Sequence, residues 1–497
     1  MKFEELMFEN QDMSKLEIFR SIGTSSPGEY ALNHFAEKHN LSYHQVNRVI
    51  SEIDKDIIEN TETWEPFMIG NGKILIRQIP IKLDKYRYIL WKKTVIYKFI
   101  LQAFLEEKMS VEEFCERNKV ARSTLYRKLS PLITYLKSQG IKINYNPIDF
   151  VGDENMVRII FSHIFWIGNR GLETPKFADI DRANSLLARH PTMGRSEENY
   201  AGKKNLLMSL YVAIARLKRG NFAENNQGLT KIFRDNPLYE SKVLINWDII
   251  PEGRKSGEIE SFFFYVFMLY SYTDVRDRSI GRILETFAKR EKDHPVSKLV
   301  QRYLQHFESE VMALSTDQLK LVTANLLSIA FSYYVFGFSI PDLENLTSPI
   351  DVHNEINRMY LEKNKDFFES VLKSPEYEEL SGTKNELIRK FSALSTPYFT
   401  ELNSKQKLKV GIALINLPTL INNLKTLLNR LNFVEYEMLD TNKLENYDVV
   451  LHSSSKISEE FPSLKATYLW EIDYGEHEYY WLFTELHRHY ISKITGH

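Results

Sequence analysis

Residues 117–132 read RNKVARSTLYRKLSPL, and they open a stretch with no acidic residue between Glu116 and Asp149. Arg117, Lys119, Arg122, Arg127, Lys128, Lys137 and Lys142 all fall within it. The whole chain, by contrast, sets 64 Lys and Arg against 66 Asp and Glu, for a net charge of −2. A helical face cleared of carboxylates is suited to approach a polyanion, because a carboxylate there repels phosphate. Any nucleic-acid contact is therefore expected to be local to this segment.

The local pattern gives the segment a fold. SVEEFCERN begins with Ser110 and places Glu113 three residues later, the spacing of a capping box. KVA makes a turn. RSTLYRKLSPLITYLKSQG follows as a second helix, with Leu125, Leu129, Leu132 and Leu136 as its buried stripe. Pro131 lacks a backbone donor, so a kink or an early stop is expected there. Gly140 closes the helix, and IKINYNPIDFVGDE reads as a β-hairpin. Helix, turn, helix and hairpin is the winged helix-turn-helix order.

A second copy of the pattern lies upstream. In SPGEYALNHFAEKHNLSYHQVNRVISEIDKDI, Tyr30, Leu32, Phe35 and Ala36 mark one helix, and Val46, Val49, Ile50 and Ile53 the next. Ser42 is the expected N-cap, and WEPFMIGNGKILIRQ gives two strands around Gly70-Asn71-Gly72.

Beyond Asp153 the chain reads as helical to about Leu402. KNLLMSLYVAI from Lys204 and ANLLSIAFSYY from Ala324 form a weak repeat. The last ninety or so residues change to strands and helices in the order LKVGIALI, LPTLINNLKTLLNRL, VEYEML, YDVVLHSS, ATYLW and EYYWLFTELHRHYISKI, which implies a small, mainly parallel α/β domain. At 497 residues the chain exceeds one core, and its 43% hydrophobic content suits globular packing. The N-terminus MKFEELMFENQD is acidic from the start, unlike a secretory signal, and no apolar run reaches membrane-spanning length. A single cysteine, Cys115, excludes an internal disulfide and a multi-cysteine zinc site. A cytoplasmic protein is expected, without cofactor or metal. It also lacks the phosphate-loop, nucleophile-elbow and zinc-helix motifs of common enzymes, so no catalytic role is expected.

Helical geometry nominates contact residues. With Leu125 and Leu129 facing inward, Ser123, Thr124 and Arg127 fall on the opposite face. Arg127 is the candidate for a bidentate guanine contact, while Arg122, Lys128, Lys137 and Lys142 suit phosphates. In the upstream copy His44, Arg48 and Ser51 face outward with Gln45 and Asn47 flanking, but Glu52, Asp54 and Asp56 follow closely, and this unit is expected to be the weaker reader.

Taken together, the chain resembles the Mga/AtxA family of virulence regulators. The most specific local match is STLYRKLSPLITYLKSQGIKI followed by FVGDENMVRIIF, with Gly152, Asp153, Glu154 and Arg158; IARLKRGNF, containing Arg216, looks like a segment of the family's first phosphotransferase-system regulatory domain (PRD). The resemblance implies a multidomain, mainly α protein. Its parts would be winged helix-turn-helix units at 1–80 and 81–152, all-helical PRD-like domains at 153–290 and 291–403, and an α/β domain at 404–497 like the EIIB component of sugar permeases. It further implies a transcription activator that binds double-stranded DNA and forms a homodimer through the C-terminal domain, the PRDs or both. Modulation would come from phosphotransferase proteins such as HPr or EII, acting on PRD histidines. His190, His306 and His353 are the phosphorylation candidates, each also readable as an ordinary surface or capping histidine.

Two departures matter. Two helical turns before Arg216 stands Ser209 where antiterminator-type PRDs have histidine, and the tail has no cysteine after its first strand. The alternatives are a PRD-type RNA-binding antiterminator, disfavoured by the N-terminal winged helices, and a sugar-phosphotransferase component, disfavoured by the missing cysteine.

Overall fold

The N-terminal segment forms helices α1 (Phe3–Met7) and α2 (Asn10–Gly23). Strand β1 (Gly28–Ala31), helices α3 (Leu32–His39) and α4 (Tyr43–Ile58), and strands β2 (Met68–Gly70) and β3 (Lys73–Ile76) follow. This computed structural model describes residues 2–188, 200–224, 250–255, 257–258, 288–310, 314–336, 346, 354–403, 407–414, 418–454, 456–470 and 476–495. Tyr30 was expected in a helix; it lies instead in β1, which pairs antiparallel with β3 in a three-stranded sheet of order β1-β3-β2. The helix begins only at Leu32, because the alternating exposure of Gly28–Ala31 fits a sheet edge rather than a helical stripe.

Leu16, Phe19 and Ile22 of α2 are buried, as are Val46, Ile50, Ile53 and Ile57 of α4, and the two helices pack together. Ser42 caps α4: its hydroxyl accepts from the Gln45 N–H, and its own N–H donates to Gln45 Oε1 (2.8 Å). Asp54 is buried on the same helix and accepts from the Phe67 and Trp64 N–H groups, both at 2.9 Å, which ties the hairpin to α4. Burial pushes its pKa up against those bonds.

The pattern then repeats. Helices α5 (Leu83–Lys93) and α6 (Val95–Gln102) lead into α7 (Val111–Asn118), α8 (Arg122–Ser138) and the antiparallel hairpin β4 (Lys142–Tyr145) and β5 (Ile148–Val151). The expected stop at Pro131 does not occur, and α8 continues to Ser138. Only the carbonyl of Arg127 loses its helical donor there, while Leu132 and Leu136 stay buried beyond it. The chain turns at Gly140, whose φ of 72° suits glycine, with the Ile141 N–H donating to the Leu136 carbonyl at 2.9 Å.

Helix α9 (Glu154–Asn169) is buried on every side and packs against α5 and α11 (Tyr200–Lys218); α10 (Ile180–Ala188) packs against α11. A helix buried all round lies inside a core, and the charged Glu154 and Arg158 of α9 pair with each other there. At Gly168 a Cβ would overlap the Trp91 ring, so glycine permits the close approach of α9 to α5.

Contacts divide the chain into two units. Met1–Tyr272 with Ser339–Ile350 form one, and Thr273–Phe338 with Asp351–His497 the other. The second contains α12 (Pro295–Glu310), α13 (Thr316–Phe336), α14 (Asn354–Val371), α15 (Glu378–Ser381) and α16 (Lys384–Asn403). Its core holds a polar knot, with the buried Tyr303 hydroxyl 3.2 Å from that of Tyr360 and 3.0 Å from Ser395 Oγ. The C-terminal residues add β6 (Leu408–Ala413), α17 (Pro418–Leu428), β7 (Val434–Met438), β8 (Val449–His452), α18 (Lys456–Glu460), β9 (Thr467–Leu469) and α19 (Glu476–Thr495). The four strands are all parallel, in the order β7-β6-β8-β9. The chain is thus mainly helical with a small parallel sheet near its C-terminus. Phe307 and Tyr360 join the hydrophobic core of this sheet, so the C-terminal layer shares its core with α12 and α14.

Candidate nucleic-acid interface

The turn between α7 and α8 is fixed by backbone geometry. Lys119 adopts a left-handed φ of 51°, and the Val120 N–H donates to the Cys115 carbonyl at 3.0 Å. The upstream unit makes the same turn, with Asn40 at a φ of 52° and Leu41 donating to Ala36 at 2.9 Å. Counting eight residues from each left-handed cap (40 to 48, 119 to 127) brings Arg48 and Arg127 to equivalent positions on α4 and α8.

Leu125, Leu129, Leu132 and Leu136 of α8 are fully buried, and Arg122, Ser123, Arg127, Ser130 and Lys137 are exposed along the outer side. Thr124 and Lys128 are half-buried. Lys142 is exposed on β4, and Tyr126 meets Tyr145 edge-on with ring centroids 5.2 Å apart, joining helix to hairpin. In the upstream unit His44, Gln45 and Arg48 are exposed, but Gln45 spends its amide oxygen on the Ser42 cap and Arg48 lies 3.8 Å from Glu52.

The acid-free stretch is not free of carboxylates in space. Glu112 reaches Arg122 at 2.7 Å, and Glu9, just past α1, reaches Lys128 at 2.7 Å and Arg127 at 3.9 Å. Surface pairs of this kind are weak and can be exchanged for phosphate contacts. In the basic segment between the two units, Arg87 pairs with Glu4, Lys92 with Glu173, and Lys93 with Asp56 and Glu59.

Asp149, the carboxylate that ends the stretch, turns inward. It pairs with Arg216 and lies 3.6 Å from Arg219, while Arg216 also donates to Glu154 (2.8 Å) and to the Phe150 carbonyl (2.9 Å). Arg158 donates to Glu154 (2.9 Å) and Glu258 (2.7 Å). Three arginines therefore meet three carboxylates in the core that joins the hairpin to α9 and α11. Burial would lower the Arg216 pKa, but Glu154 and Asp149 outweigh it and hold the guanidinium charged. Sequence reasoning singled out Glu154, Arg158 and Arg216 without pairing them, and it missed Glu9 altogether. Glu154 and Arg158 stand four apart on α9, a spacing that was open to reading, whereas Arg216, Glu258 and Glu9 lie far in sequence from their partners and leave no local signal.

Residues 82–165 match the family model of the Mga helix-turn-helix domain. This Mga domain therefore takes in α5 to β5 and most of α9, including Asp149, Glu154 and Arg158. No curated protein sequence matches the chain. The Mga helix-turn-helix domain points to a DNA-binding regulator, with DNA as partner.

The remaining candidates are dispersed. His306 is half-buried on α12 and stacked on Phe367 at 4.7 Å; burial lowers its pKa, with Lys363 adding to that and Glu310 opposing. His190 and His353 lie outside the described residues, as do residues 415–417 after β6. Ser209 is buried and bonds back to the Asn205 carbonyl. Among the described residues no group of three or more His, Cys, Asp or Glu is placed to hold a metal ion, and no helix is long and apolar enough to cross a membrane.

Proposed function

We propose that the protein is a cytoplasmic transcription activator, not an enzyme, that binds promoter DNA through two winged helix-turn-helix units with α8 as principal reader. The observation that carries this reading is α8 itself: a buried leucine stripe beneath an outer side of Arg122, Ser123, Arg127 and Lys137, inside the matched Mga domain. Arg127 and Thr124 read base edges, and Arg122, Lys128, Lys137 and Lys142 hold phosphates. Residues 153–290 and 291–403 act as PRD-like regulatory domains of virulence or carbohydrate-responsive control. Residues 404–497 act as an EIIB-like domain that has lost its nucleophile and serves subunit contact.

The experiment is genome-wide binding followed by footprinting with the full-length protein. Arg127→Ala combined with Lys128→Ala should abolish specific protection, and retained protection by the double variant would remove α8 as the reader. Incubation with HPr and its kinase should label the helical middle. Labelling that survives His190→Ala, His306→Ala and His353→Ala together would end the histidine proposal.

A further inference from the structure

A cavity of about 950 Å³ opens in the first unit, bounded by α2, β3, the linker after β3, α5, α9 and the start of α11. Its volume suits a small organic molecule. One wall is apolar, with Phe19, Ile22, Ile76, Ile81 and Trp166. Arg20, Arg77, Lys82, Arg87 and Arg170 also line it, against a single acid, Asp84.

The cations are not evenly satisfied. Arg77 pairs with Glu65 and Arg87 with Glu4, at 3.3 Å. Arg20, Lys82 and Arg170 form no ion pair among the described residues. Arg170 instead holds its guanidinium 5.8 Å from the centre of the Trp166 ring, on a backbone with a left-handed φ of 51°. Burial lowers the Arg87 pKa; Glu4 opposes that, and repulsion from Arg170 and Arg20 adds to it, so these guanidinium groups share one electrostatic environment.

We propose that this cavity binds a small organic anion, whose phosphate or carboxylate is held by Arg20, Lys82 and Arg170 and whose apolar body rests against Trp166 and the isoleucine wall. A DNA backbone fits it poorly, because duplex phosphates are read by cations on outward surfaces, whereas this wall is concave and largely apolar. The bound anion bridges α2 of the upstream unit to α5 of the matched domain. It is therefore placed to set the spacing between α4 and α8.

Calorimetric titration of the full-length protein tests this with four probes: phenyl phosphate, benzoate, inorganic phosphate and benzyl alcohol. Phenyl phosphate or benzoate should bind, and which of them does separates phosphate from carboxylate as the recognised group. Inorganic phosphate and benzyl alcohol should each bind at least about tenfold more weakly, since each lacks one half of the recognition. Arg20→Gln with Arg170→Asn should weaken the binding probe by about tenfold or more; asparagine tolerates the left-handed backbone at 170. Lys82→Gln, on the exposed linker, should lose affinity in the same direction and decides the matter if the double variant does not fold. No binding of either organic anion at millimolar concentration overturns the proposal, as does equal binding of inorganic phosphate or full affinity in the variants. Loss of DNA affinity in the variants, with no anion bound by the parent protein, would assign these cations to DNA instead.

Discussion

Glu9 Oε2 lies 2.7 Å from Lys128 Nζ, and its other oxygen 3.9 Å from Arg127. A carboxylate excluded from the sequence of the recognition segment is thus delivered to it from the N-terminal helices, and α1 packs against α8. DNA must displace this carboxylate to reach either cation. Glu9→Gln should therefore tighten DNA binding by about two- to fivefold at low salt. It should also steepen the salt dependence by about one unit of slope, because freed cations take up phosphate contacts. Fluorescence anisotropy across a salt series measures both, and unchanged affinity would mean that Glu9 does not compete with phosphate.

Arg48 and Arg127 occupy equivalent positions but differ in surroundings. Arg127 is 71% exposed beside a carboxylate from another segment, whereas Glu52, one turn along the same helix, accompanies Arg48 wherever α4 goes. Arg127→Ala should weaken specific binding by about 1–3 kcal/mol and relax preference at one base position. Arg48→Ala should weaken binding less and without a change in sequence preference. A larger loss from Arg48→Ala in the same competition assay would make α4 the principal reader.

Arg216 is the hub of the buried ionic cluster, and removing it strands Asp149 and Glu154 without a counter-charge. Arg216→Met should lower stability by about 3–5 kcal/mol in urea unfolding, while Arg122→Met, at an exposed position, should leave it nearly unchanged. Because Asp149 belongs to β5, hydrogen exchange should rise first in the β4–β5 hairpin of Arg216→Met. Hairpin protection equal to that of the parent protein would show that the cluster does not hold the wing.

How much of this was legible in the sequence follows from the range of each interaction. The leucine stripe of α8, the N-cap at Ser42, the capping box at Ser110 and the turn at Gly140 depend on residues within a few positions, and each is visible as local spacing. The parallel sheet was legible as apolar runs of strand length. Strand β1 was not, because four residues with alternating exposure next to a helix look like its first turn. Glu9 beside Lys128, and Arg216 between Asp149 and Glu154, were invisible because single charges carry no periodicity. For the same reason the cation-lined cavity draws its walls from five separate elements and the linker, and no single stretch announces it.

Asp448 anchors the C-terminal layer. It accepts from Lys493 Nζ of α19 at 2.6 Å and from the Lys409 N–H of β6 at 2.9 Å, with Lys465 at 3.7 Å. Burial pushes its pKa up, but Lys493, the Lys409 N–H and Lys465 outweigh this and hold it below the ordinary carboxylate value. A depressed folded-state pKa contributes stability above the unfolded value of about 3.9, and that contribution is lost as pH falls through the folded value. Asp448→Asn should therefore cost about 1–3 kcal/mol at pH 7, and the gap from the parent protein should close as pH falls through the lowered folded-state value. A gap independent of pH would show that packing, not charge, is lost.

The aromatic residues of the tail divide by burial, and the division gives the last prediction. Trp470 is fully buried in the core of the sheet and packs edge-on with Tyr479, so these two are structural. Tyr480, Trp481 and Phe483 of α19 are 74%, 41% and 39% exposed. Adjacent exposed aromatics of this size on one helix are the composition of an interface core. Truncating the tail would be a poor test, because Phe307 and Tyr360 would lose the apolar residues they pack against. Tyr480→Ser with Trp481→Ser leaves that core intact. If α19 forms the subunit contact, the variant should keep its thermal unfolding temperature but sediment as a monomer at concentrations where the parent is dimeric. Its DNA affinity should then fall, because two linked reading units gain from effective concentration. A variant that stays dimeric would move the contact off this face, to the helical domains.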